Sequence, residues 1–331
     1  MQSVLKPIIY AVIFIAITII AHPLYQLYSI KFVSMLSQSS QPLIIEVKRN
    51  STATALAQQL QEKKLISSAK TLLSYIKWKG WSNQFKAGFY EILPKESVDH
   101  FLFKVVKGQV LTKTFTIIEG TTINQIKANL EHAEYLQYEP DNWKVIITEQ
   151  SNPEGLLMAD TYKYDAGSEA SEILKLSHKN LKAFLEKSWN NRSAFLPYKS
   201  PYELLIAASI LEKESSLPQE RYLISGIIVN RINKNMPLQM DPTIVYAAGN
   251  AYKGKITHNH LLLASPYNTY KYKGLPPTPI TTVSKSAIEA AAHPKFSEYL
   301  YFVAKGDGTH HFSKNYEEQR RAIQSYLGRG K

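Results

Sequence analysis

Residues 200–214, SPYELLIAASILEKE, constrain the fold of this chain more than any other stretch. Ser200 suits a helix cap, Pro201 the first helical position, and Glu203 completes a capping box. Residues 204–211 are then apolar except for Ser209. A helix apolar on nearly every face has to be buried, so other elements must fold around it. Glu212 and Glu214 follow at its end, ahead of Pro218. On a helix Glu212 lies over Ala208 and Ser209, with Leu205 one turn further back. A carboxyl held beside apolar groups loses hydration and keeps its proton near neutral pH, as a general acid must. Glu214, about 200° away around the helix, has Ile210 and Leu211 as its own apolar neighbours and competes for that role. The plainer alternative is a helix end that has reached solvent, with Lys213 as a counter-charge.

With 331 residues the chain has room for two globular domains. Its formal net charge of +12 would suit nucleic acid, an anionic membrane surface or an anionic polymer such as cell wall. No long basic block and no aromatic-basic stripe is present, so no nucleic-acid partner is expected. There is no cysteine, which excludes a disulfide scaffold, a Cys-ligated zinc site and a Cys nucleophile. No metal or other cofactor is expected either. His310 and His311 are neighbours on a predicted strand and face opposite sides. His258 and His260 have no acidic partner at ligand spacing.

Residues 8–21 form an apolar run relieved only by Thr18, and Leu24, Tyr25, Leu27 and Tyr28 prolong it. Counted from Pro7 to Tyr28, the run reaches the roughly 20 residues that cross a bilayer core. Ile19 and Ala21 match a signal-peptidase site poorly, so an uncleaved anchor is expected rather than a signal peptide. Lys6 precedes the run, which places residues 1–6 in the cytoplasm and the bulk of the chain outside. The expected order is a cytoplasmic tail (1–6), a transmembrane anchor (7–28), a stalk (29–42), a strand-helix domain (43–112) and a larger domain (113–331).

Two segments repeat one another. Val47, Thr52, Ala53, Leu56 and Leu60 correspond to Ile117, Thr122, Ile123, Ile126 and Leu130. Each unit is a β-branched run, a polar turn and apolar residues at helical spacing. Asn50 turns the first unit and Gly120 the second, the two residue types that best tolerate left-handed backbone. Thr122 and Gln125 form a capping-box pattern. Such units occur in LysM-like sugar-binding modules, and equally in plain α+β packing with no ligand. Between them, residues 67–78 are predicted helical, and KAGFYEILP is a strand with a turn at Gly88.

Other polar groups cluster further on. If residues 238–244 are a strand, Gln239, Asp241 and Thr243 share one side and can bond sugar hydroxyls or orient the acid. Asp241 before Pro242 can equally be a turn or cap residue. The segment Ser265, Pro266, Tyr267, Asn268, Thr269 and Tyr270 suits a rigid groove wall. Its rings would stack on sugar faces, with Asn268 and Thr269 as polar contacts, unless the loop is only structural. Gly306-Asp307-Gly308 predicts a hairpin, and Asn315 with Glu318 caps a last helix whose Tyr316, Arg320, Ile323, Tyr326 and Leu327 are spaced to dock against the domain.

The run Ala208-Ser209-Ile210-Leu211-Glu212-Lys213-Glu214 resembles the signature of the endolytic murein transglycosylases of the MltG (YceG-like) family. NPEGLLMADTYKY at 152–164, ISGIIVNRINKNMPLQMDPTIVYAAG at 224–249, SPYNTY at 265–270, GLPPTPI at 274–280, YLYFV at 299–303 and HFS at 311–313 are similar to further family segments in the same order. Asn50 stands where a Gly is usual, and Ala159 where a Pro commonly precedes Asp160. The resemblance implies an α+β protein with an N-terminal transmembrane helix, a LysM-like domain and a larger mixed catalytic domain. Its expected place is the inner (cytoplasmic) membrane, with the catalytic domain on the periplasmic or external face. The resemblance implies that Glu212, the first Glu of the signature, is catalytic. Glu154, Gln239, Asp241, Thr243, Ser265, Tyr267, Asn268, Thr269 and Tyr270 are the expected substrate contacts. The implied reaction cuts the β-1,4 bond between N-acetylmuramic acid and N-acetylglucosamine, leaving a 1,6-anhydro end and limiting nascent strand length. Peptidoglycan synthases are implied partners. Two rivals stand beside it: a hydrolase in which Asp241 or Glu154 activates water, and a non-catalytic wall-binding protein.

Overall fold

The structure, a computed structural model, describes residues 2–36, 41–147 and 152–326. It is a mixed α+β protein with small sheets, and it divides into two compact units. The first comprises Met1–Lys113 with Lys163–Ser168, the second Thr114–Tyr162 with Glu169–Lys331.

In the first unit α1 (Gln2–Phe32) is followed by β1 (Leu43–Val47), α2 (Ala53–Glu62), α3 (Ala69–Trp78), β2 (Gly88–Ile92) and α4 (Val98–Lys107). β1 and β2 pair antiparallel, with Ile45 opposite Tyr90 and Leu43 opposite Ile92. Alternation along each strand sends Ile45, Val47, Tyr90 and Ile92 inward, where Leu56, Leu60, Leu72, Ile76 and Phe101 close the core. Thr52 caps α2 by accepting from Ala55 N at 3.1 Å, and Ser68 caps α3. Residues 29–36, expected as stalk, instead continue the helix to Phe32 and put Ile30 and Met35 into this core. Ile30 and Met35 are apolar positions on the side that meets α3 and α4, and burial outweighs the polar neighbours that suggested a linker. Residues 37–40 of that stretch lie outside the described residues. So do many side chains of the apolar run at 8–21, and among the described residues no helix is long and apolar enough to cross a membrane.

β3 (Thr112–Ile117) leads into α5 (Ile123–Glu131) and pairs with β4 (Asp160–Asp165). α6 (Ala170–Asn190), α7 (Pro201–Glu214), α8 (Pro218–Asn233), α9 (Asp241–Ala248), the short α10 (His258–Leu261) and α11 (Lys285–Ala292) follow. The hairpin β5 (Tyr301–Ala304) and β6 (His310–Ser313) and then α12 (Tyr316–Tyr326) complete the second unit. α7 is its axis. All eight residues from Leu204 through Leu211 are buried, and α11, α8, α6 and α9 pack around them. Ser209 is tolerated there because its hydroxyl donates to Ile206 O at 2.7 Å and accepts Ile280 N at 3.1 Å. Gly226 lets residue 295 press on α8, since a Cβ there would lie 2.3 Å from Lys295 O. Asn315 caps α12 by accepting Glu318 N at 2.9 Å, and Tyr326 stacks on His311, while Leu327 lies outside the described residues.

Residues 238–244 are not the strand expected from alternation. Gln239 has φ of 52°, and α9 starts at Asp241 with Pro242 in its first turn. Proline's fixed φ and missing N–H favour a helix start, and this outweighs the alternating pattern.

Candidate active site

A cleft of about 830 Å³ opens in the second unit. The start of α5, the end of α7, one face of α9, Glu154 and Thr281 line it. Three carboxyl groups reach this lining: Glu154, Glu214 and Asp241.

Glu214 is the last residue of α7. Its Oε1 is shut from solvent and has no hydrogen-bond partner. Burial, followed by the negative charge of Asp241, pushes its carboxyl up to about 8. A group raised that far keeps its proton at neutral pH, as a general acid must. Asp241 opens α9, and Tyr270 Oη donates to its Oδ1 at 2.5 Å. Glu154 is 1% exposed. Its Oε1 accepts from Ile123 N at 3.0 Å and its Oε2 from Tyr246 Oη at 3.3 Å. Burial raises it to about 7 against the opposing pull of those bonds and of Lys127.

Glu212, the acid expected from the signature, is held elsewhere. Its Oε1 accepts from Arg221 Nη2 at 2.9 Å. Its Oε2 accepts from Ser284 N at 2.8 Å and Ser284 Oγ at 2.5 Å. Its side chain is 6% exposed and takes no part in the lining of the cleft. A carboxylate so paired has its lone pairs committed to a buried cation and a helix N-terminus.

The expected substrate contacts separate in the same way. Glu154 and Asp241 line the cleft; the others lie behind its lining. Asn268 is 0% exposed and donates to Leu261 O at 3.0 Å and Leu263 O at 2.9 Å, while its Oδ1 accepts Tyr270 N at 3.0 Å. Thr269 accepts Met240 N at 3.0 Å and meets Thr243 Oγ1 at 2.8 Å, which pins α9 to the loop. Gln239 Oε1 accepts from Arg231 Nη1 at 3.2 Å. Ser265 closes the turn by accepting Tyr267 N at 3.3 Å. Tyr267 meets Thr278 Oγ1 at 2.7 Å, and its ring lies tilted against the Tyr246 ring with centroids 4.8 Å apart. Asn268 and Thr269 therefore are internal struts, not sugar contacts, because every polar atom they own is spent on the loop and on α9.

Sequence reasoning passed over Tyr246 and the start of α5 as cleft residues. Helical spacing would have found Tyr246: Asp241, Pro242, Val245, Tyr246 and Gly249 share the lining face of α9. Treating 238–244 as a strand hid that face. His260 serves α10 itself, with Thr257 N at 3.2 Å from its Nδ1, and among the described residues no group of three or more potential ligands is placed to hold a metal.

A carboxyl that burial pushes up to about 8, with no hydrogen-bond partner at Oε1 and with Asp241 beside it in an open cleft, is the arrangement of an acid–base enzyme. The chain belongs to the YceG-like family, whose model matches residues 45–325. It is 31% identical over 309 residues to the endolytic murein transglycosylase of Bacillus subtilis, covering 86% of this chain and 84% of that one. It is 27% identical to the endolytic murein transglycosylase of Streptococcus pneumoniae D39, covering 88% of this chain and 59% of the relative. The crystal structure of a yceG-like protein from Listeria monocytogenes superposes with a TM-score of 0.53 at 29% identity, covering 86% of this chain and 99% of that one.

Proposed function

We propose that this chain is an endolytic lytic transglycosylase of peptidoglycan, with Glu214 as its acid and base. The observation that carries the reading is the Glu214 carboxyl, desolvated in the cleft and without a hydrogen-bond partner at Oε1. The shared family and the printed activity of the relatives support the substrate. Glu214 gives its proton to the glycosidic oxygen as the bond to the muramic anomeric carbon breaks, and positive charge builds on that carbon. The resulting carboxylate takes the proton of the sugar's own 6-hydroxyl while that oxygen bonds to the same carbon. No water is consumed, and the intramolecular nucleophile has an entropic advantage over water. Burial, and after it the charge of Asp241, keeps Glu214 protonated before the reaction, and Asp241 faces the developing cation during it.

Hydrolysis with Asp241 or Glu154 as base is the second reading, because both line the cleft. Product mass separates the two: an anhydro end is lighter than a hydrolysed end by one water. Glu214→Gln should lower anhydro product by at least about a hundredfold while glycan binding persists. Undiminished turnover in Glu214→Gln would sink the assignment.

The continuous helix α1 and the apolar run within it support a single-pass anchor, with the chain beyond residue 28 outside the cytoplasm. Retention in the membrane pellet after alkaline carbonate tests this; release of the full chain would refute it. The strand-helix-helix-strand order of the first unit, with exposed Trp78, supports a LysM-like glycan grip. Unchanged binding of Trp78→Ala to insoluble wall would count against that. Peptidoglycan synthases, as suppliers of the nascent strands whose length is limited, are the proposed partners.

A further inference from the structure

Arg221 sits where three helices meet. Its Nε donates to Ser215 O at 2.7 Å, its Nη2 to Glu212 Oε1 at 2.9 Å, and its Nη1 to Ser284 Oγ at 3.0 Å and Ser286 Oγ at 2.7 Å. Ser284 caps α11 and gives both its N–H and its hydroxyl to Glu212 Oε2. The pair is buried, with Arg221 9% and Glu212 6% exposed. The residues it grips, 212 and 215, bracket Glu214 in the chain. The cleft-lining carboxyl itself has no bond at Oε1 to hold it. The last turn of α7, which carries it, is tied down on both sides by one guanidinium.

We propose that Glu212 and Arg221 are positioning residues: their ion pair, locked to the start of α11, fixes the end of α7 and so aims the Glu214 carboxyl into the cleft. This rests on Glu214 being the acid. It also gives the first Glu of the signature a function that does not require it to touch substrate. A planar guanidinium suits the task because it spans four acceptors in fixed directions, which an ammonium cannot do. Displacement of a catalytic group by about 1 Å costs on the order of a hundredfold in rate.

The test uses the full chain and uncrosslinked glycan strands, with kcat and KM for anhydro product measured well below each variant's melting temperature. Glu212→Gln should lower kcat by about tenfold to a hundredfold, with KM within about twofold of wild type and residual turnover above that of Glu214→Gln. Arg221→Lys should reproduce that loss, since it keeps the charge and not the geometry. Asn230→Ala is the control for simple loosening. Its Nδ2 ties α8 to Ser297 O and Tyr299 O, so it should melt earlier with kcat per folded molecule unchanged. Wild-type kcat in folded Glu212→Gln, or a raised KM with kcat intact, would overturn the positioning role. Full activity in Glu214→Gln with none in Glu212→Gln would instead overturn the assignment of the acid. If Glu212→Gln does not fold, Ser286→Ala removes one Arg221 partner more gently. It should still lower kcat at constant KM, and an unchanged kcat there would equally refute the proposal.

Discussion

The two strand-turn-helix repeats have nearly the same backbone and different surroundings. The first turns at Asn50 with φ of 62° and starts α2 from Thr52 at φ −81°, ψ 160°. The second turns at Gly120 with φ of 73° and starts α5 from Thr122 at φ −84°, ψ 161°. Leu56 and Leu60 are buried in one, Ile126 and Leu130 in the other. Yet α2 meets an ordinary core, whereas the start of α5 is a wall of the cleft. There Ile123 N holds Glu154, Gly120 O accepts from Lys213, and Thr121 bonds to Thr282. One local motif serves packing in one unit and chemistry in the other, and what differs is the partner set brought against the helix N-terminus.

The largest effect should separate the repeats outright. Glu154→Leu leaves Ile123 N and the Tyr246 hydroxyl without their acceptor, at about 1–3 kcal/mol of stability, and should lower turnover with it. Thr52→Ala in the first repeat loses only a cap, about 1 kcal/mol, with turnover per folded molecule unchanged. Denaturant melts and product assays on the same samples measure both, and equal turnover loss in the two would erase the distinction.

A second difference lies in pH. Glu154 and Glu214 are both raised in the folded protein, to about 7 and about 8. The stability that comes with their neutral forms is complete below the unfolded carboxyl value. It declines as pH rises from there through the folded values, because the unfolded chain ionises first. Glu154→Gln should flatten that decline between about pH 4.5 and 7, so the variant gains on wild type as pH rises. One pKa unit corresponds to about 1.4 kcal/mol, which limits the gain to a few kcal/mol. Parallel stability curves for variant and wild type would contradict the raised carboxyl.

The turns themselves should differ least. Gly120→Ala puts a side chain at positive φ for roughly 1–2 kcal/mol. Asn50→Gly, which exchanges two residues tolerant of that conformation, should stay within about 0.5 kcal/mol. Thermal melts that rank them the other way would show that the two turns are not equivalent.

Local features were legible because local chemistry dictates them. The Ser200-Pro201 start of α7, the Thr122–Gln125 capping box, the hairpin around Gly306 and Gly308 and the Asn315 cap all depend on residues a few positions apart. Burial of α7 followed from its apolar faces. What failed was longer in range or a competition between local signals. Alternation at 238–244 lost to Pro242, and the polar residues of the SPYNTY loop turned inward because their partners lie on other segments, at Met240, Thr243, Leu261 and Leu263.

The sequence by itself determined that a buried helix ends in two glutamates separated by one residue, with an apolar neighbour for each. Which carboxyl faces the cleft was decided only by tertiary structure. Arg221 comes from the next helix and Ser284 from a helix start far along the chain, and both reach Glu212. Asp241 is brought to Glu214 by a different helix again. Helical geometry places the two glutamates on different faces, but nothing within the helix says which face meets a cation and which meets open space. That depends on contacts between residues distant in sequence, which periodicity does not record.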